Sequence, residues 1–167
     1  MNDLDSQRQT LIERIKQVFP EKPSVHGKGG LKLLEDYVAP YDYQHLRETL
    51  EGKLWEEIIS EPSIIYTLSE IDYIRDMTDE AYMYYLPAFL VATLNNPLKW
   101  AMYSMVIETI YDLRAKFTPE QIDVLIAFFD FHARLQRSYP QYPNVGNDFL
   151  EAIEDIQLKL MLWRDKL

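Results

Sequence analysis

Apolar residues recur at spacings of three and four along most of the chain, and that period predicts helices. Over residues 4–19, Leu4, Leu11, Ile15 and Val18 form one stripe, with Ile12 and Phe19 beside it, and Pro20 ends the helix. Residues 20–30 hold two prolines and three of the five glycines, which predicts a loop. Residues 31–41 suit a short helix or an extended piece. Asp42 can cap a helix over 43–51, with Gly52 just past its end. A second short helix over 53–60 carries Leu54, Trp55, Ile58 and Ile59. Residues 62–76 suit a helix entered at Pro62, although Ile64, Ile65, Tyr66 and Tyr73 would also fit a strand. A helix is expected there because nothing nearby supplies a pairing strand.

Thr78 opens a clearer helix, with Asp79 and Glu80 in its first turn. Residues 81–94 are apolar on every face, so this helix belongs at the centre, and Pro87 inside it predicts a kink. Asn96-Pro97 reads as the cap and first residue of the next helix, which runs to about 116 on a stripe of Leu98, Met102, Val106, Ile110 and Leu113. Thr118-Pro119-Glu120-Gln121 is a capping box for a helix to about Ser138. Asp130 and Arg134 are spaced as an ion pair on it. After a loop over 139–147, a last helix spans about 148–165, with Phe149, Ile153, Ile156, Leu160, Trp163 and Leu167 on its stripe. These elements predict one all-α domain over 1–167, with six or seven helices packed around the Pro-kinked 79–94 helix. No internal repeat and no linker divides it.

Charge narrows the function. The 167 residues carry 17 Lys and Arg against 27 Asp and Glu, a net charge of −10. Such a chain is repelled by polyanions, which argues against direct nucleic-acid binding and against adsorption to an anionic membrane. Cysteine is absent, so disulfides, thiolate metal sites and cysteine nucleophiles are excluded. The start, Met1-Asn2-Asp3-Leu4-Asp5, lacks the apolar core of a secretory leader, and a cytoplasmic location is expected. The longest uncharged run, Ala81 to Leu98, contains Pro87 and has too short an apolar part to span a bilayer.

The run Met77-Thr78-Asp79-Glu80-Ala81-Tyr82-Met83-Tyr84-Tyr85-Leu86-Pro87-Ala88 resembles the signature of a family of bacterial proteins of unassigned function. That signature is Leu or Met, Ser or Thr, any residue, Glu-Ala, two residues, then Tyr-Tyr-Leu-Pro-Ala. Gly52-Lys53-Leu54-Trp55 is similar to an upstream Gly-Lys-x-Trp of that family, and Thr118 to Gln121 to a downstream Thr-Pro-Glu-Gln. The resemblance covers residues 42–135, leaves the first and last helices outside, and implies a bacterial source and one helical domain. It carries no catalytic residue across.

Motifs that carry chemistry are sparse. His45 and Glu48 are spaced as metal ligands, but the second pair that a site would need is missing, so no metal and no cofactor is expected. His26 lies in the Gly-rich 26–30 segment, where Lys28 is followed by Gly29 rather than the Ser or Thr of a phosphate loop. Asp130 and His132 point to different faces of one helix, and His132 belongs at the edge of the core. Glu108 and Asp112 share a face but lack the Glu-x-x-His partners of a di-metal bundle. No Gly-x-Ser-x-Gly occurs.

Two features remain. Residues 48–80 hold ten acids against Lys53 and Arg75, a net of −8 and so most of the chain's charge. An acidic face built from Glu56, Glu57, Glu61, Glu70, Asp72 and Asp76 would steer a basic protein partner. The expected function is therefore a non-enzymatic acidic binding protein, of the inhibitor or immunity type. The alternative is a small-molecule enzyme or sensor whose pocket is lined by Tyr84, Tyr85, Pro87, Trp100 and Tyr103. The aromatic richness also fits a homo-oligomer.

Overall fold

The computed structural model describes residues 3–19, 32–35, 44–60, 76–96, 110, 116–138 and 147–167. Within them the chain is all-α, with six helices. They are α1 (Asp3–Val18), α2 (Gln44–Leu50), α3 (Trp55–Ile58), α4 (Asp79–Asn95), α5 (Pro119–Ser138) and α6 (Asn147–Arg164). All of the expected helix over 62–76 except Asp76, the loops over 20–30 and 139–146, and nearly all of the helix over 97–116 lie outside the described residues. Ile110 is helical and fully buried.

The local signals act as their chemistry dictates. Asp3 and Asp5 open α1 and Lys16 closes it, matching the helix dipole. Thr78 caps α4 by accepting the Ala81 N–H at 3.1 Å. At the start of α5 the capping box closes in both directions. The Gln121 N–H reaches the Thr118 hydroxyl at 3.3 Å, and the Thr118 N–H reaches Gln121 Oε1 at 3.1 Å. Asn96, expected to cap the next helix, whose start lies outside the described residues, closes the end of α4. Its backbone N–H and its side-chain amide both donate to the Ala92 carbonyl.

Thirteen of the seventeen residues of α4 are buried, so the helix has no solvent face and sits at the centre. It continues unbroken through Pro87. Helices α1 and α3 pack on it, α5 packs on α1 and α6, and α2 packs on α3. One core unites Ile15, Leu50, Trp55, Phe89, Leu125, Phe128 and Leu160 with their neighbours. Each large apolar side chain buried there contributes about 1.5–3 kcal/mol before the entropy of ordering is counted.

Within the ambiguous segment over 31–41, the described residues 32–35 are extended chain. Residues 32–35 run antiparallel to residues 76–78 through one isolated bridge between Leu34 and Met77. The Glu35 N–H donates to the Asp76 carbonyl at 2.9 Å and the Thr78 N–H to the Leu33 carbonyl at 3.1 Å. The Thr78 hydroxyl adds a bond to the Lys32 carbonyl at 2.6 Å. A pairing segment therefore exists beside the start of α4, where the sequence offered none.

Candidate functional site

A group of buried tyrosine hydrogen bonds among the described residues lies where the α2–α3 corner meets α4. Helix α2 ends at Leu50, and Gly52 turns the chain with φ of 74°. Glycine enters this left-handed region without the clash that a Cβ brings. The Lys53 N–H then returns to the Leu50 carbonyl at 3.1 Å. Helix α3 follows after one residue. Its third position, Glu57, accepts the Leu54 backbone N–H at 2.7 Å, which satisfies one of the donors left over at a helix start.

Two tyrosines of α4 hold this corner. The Tyr85 hydroxyl lies 2.5 Å from the Leu50 carbonyl oxygen and 3.0 Å from that of Lys53, so it bridges both sides of the Gly52 turn. The Tyr84 hydroxyl accepts the Trp55 N–H at 3.4 Å. Their rings meet edge to face, with centroids 4.9 Å apart. Trp55 is fully buried beside them. The Gly52-Lys53-Leu54-Trp55 and Tyr84-Tyr85 segments are thus one construction.

Burial raises both phenols above their ordinary value. For Tyr84 the Trp55 N–H opposes the rise, while Glu57 and Glu56 add to it. For Tyr85 the neighbouring Tyr84, Glu51 and Glu57 add to it. Both groups are therefore neutral hydrogen-bonding phenols at physiological pH. Glu51, Glu56 and Glu57 are thus near enough to act electrostatically on one or both phenols. All three glutamates are exposed, as is Glu48.

Of the six residues expected to form an acidic face, three are described. Glu56 and Glu57 are exposed on α3. Asp76 is half-buried at the bridge to residues 32–35, and Glu61, Glu70 and Asp72 lie outside the described residues. Of the expected pocket, Tyr84, Tyr85 and Pro87 are buried in α4, while Trp100 and Tyr103 lie outside the described residues. Two surface grooves among the described residues lie elsewhere. One of about 370 Å³ runs between α1 and α5, over Leu11 and Phe131. The other, about 330 Å³, lies where α1, α3 and α4 meet and includes Glu56.

The remaining candidates separate. Glu48 accepts the Gln44 side-chain amide at 2.7 Å, and the side chain of His45 is outside the description, as are His26, Glu108 and Asp112. His132 is not at the edge of the core but deep in it, 1% exposed, with its ring edge-on to Phe128 and Phe131. Desolvation pushes its pKa down to about 3, so the ring is neutral. Asp130 pairs with Arg134 at 2.7 Å, as its spacing predicted. Among the described residues no group of three acids or histidines converges as metal ligands, and no helix is long and apolar enough to cross a membrane.

Sequence reasoning missed two features. The tyrosine latch joins residues some thirty positions apart (29 to 35) and leaves no periodic signal. The second is an outer apolar stripe on α6, where Leu158, Met161 and Leu162 are exposed. Their spacing was legible, but the core stripe of the same helix drew the assignment. Leu167, assigned to that core stripe, lies past the helix end and is 72% exposed. No protein-family model matches the chain, and no curated protein or solved structure is significantly similar to it.

Proposed function

We propose that the chain is a non-enzymatic binding protein of the inhibitor or immunity type, acting in the cytoplasm on a basic protein partner. The observation that supports this is the α2–α3 corner, where Glu48, Glu51, Glu56 and Glu57 stand exposed on backbone that buried tyrosines hold in place. A fixed acidic surface loses little conformational freedom on binding, and it raises the rate at which a basic partner arrives. The net charge of −10 extends that attraction over the whole molecule and disfavours nucleic acid. The resemblance over residues 42–135 would place the source among bacteria. The alternative reading, a ligand pocket at Tyr84 and Tyr85, is weakened because both hydroxyls already serve backbone groups.

The test is an affinity capture from a bacterial lysate with the wild type and with a variant carrying Glu56→Lys, Glu57→Lys, Asp72→Lys and Asp76→Lys. Circular dichroism first checks that both fold. A basic protein retained by the wild type alone is the expected outcome. Equal retention by both, or no specific protein on either, refutes the reading.

A further inference from the structure

We draw no further inference here: the strongest candidate, the outer apolar stripe of α6 at Leu158, Met161 and Leu162, carries none, because Glu154, Asp155 and Asp165 beside it are paired with Arg137, Lys159 and Arg164 and nothing in the structure shows what covers it.

Discussion

His132 shows how far one residue departs from its chemical default. A histidine on a helix normally titrates near neutrality, but this ring is enclosed by Phe128 and Phe131, and desolvation pushes its pKa from 6.5 down to about 3. The folded state therefore favours the neutral ring more than the unfolded chain does. Its contribution to stability is fully present above pH 6.5 and is lost as pH falls from 6.5 toward about 3. In that window one proton steepens the loss by at most about 1.4 kcal/mol per pH unit. Urea unfolding of the wild type and of His132→Leu at several pH values between about 6.5 and about 4.5 isolates it. The variant should lose stability more gradually, whatever its absolute stability. Parallel slopes would show that the ring is not the titrating group. The sequence placed His132 on the correct helix but at the edge of the core. Helical spacing assigns a face, and how much of the chain closes over that face is decided by distant elements.

At the scale of elements, the α2–α3 corner depends on two devices of different kinds. Gly52 supplies a backbone angle, and a Cβ there would meet nothing within 4 Å, so Gly52→Ala carries only the conformational penalty of the left-handed region. That penalty is about 1 kcal/mol. Tyr85 supplies a hydroxyl shared between the Leu50 and Lys53 carbonyls, and Tyr85→Phe removes that donor while the Leu50 carbonyl keeps the Lys53 N–H, at about 1 kcal/mol. Tyr84→Phe should cost less, because its bond from Trp55 is long at 3.4 Å. Chemical denaturation of the three variants checks the order. A Tyr85→Phe variant as stable as the wild type would mean that the corner holds itself. Elements of this size were legible wherever a local rule writes them. The Thr118 to Gln121 capping box, the Thr78 cap and the Asp130–Arg134 pair all stand as their spacing implied. The Leu34–Met77 bridge was not, because a single bridge needs no alternating strand pattern. The latch was not, because a tyrosine reaching a distant carbonyl obeys no period. The candidate site divides likewise. Its acids were countable in the sequence, while the backbone support that fixes Glu56 and Glu57 at one corner required the fold.

At the scale of the whole molecule the governing quantity is charge. A net −10 on a chain of this length makes the compact state repel itself, since folding brings the carboxylates closer together than they stand in the extended chain. Opposing this are exposed ion pairs such as Arg134–Asp130, Lys159–Asp155 and Arg137–Glu154. Salt weakens both effects. Which one dominates follows from range and number. Exposed pairs contribute little each, and several join neighbours on one helical turn that stay close even in the unfolded chain. The repulsion involves every unbalanced acid over distances comparable to the screening length, about 10 Å at 0.1 M salt. Repulsion therefore wins at low ionic strength, and salt should stabilise the fold. Raising sodium chloride from about 0.02 M to about 0.2 M at neutral pH should lift the melting temperature by a few degrees. Chloride is the informative anion, because sulfate would also strengthen apolar burial and confuse the cause. A melting temperature that falls with salt would mean that the ion-pair network outweighs the net charge. In that case the acids are held by their own neighbours, and the long-range attraction offered to a basic partner is smaller than the count of carboxylates implies.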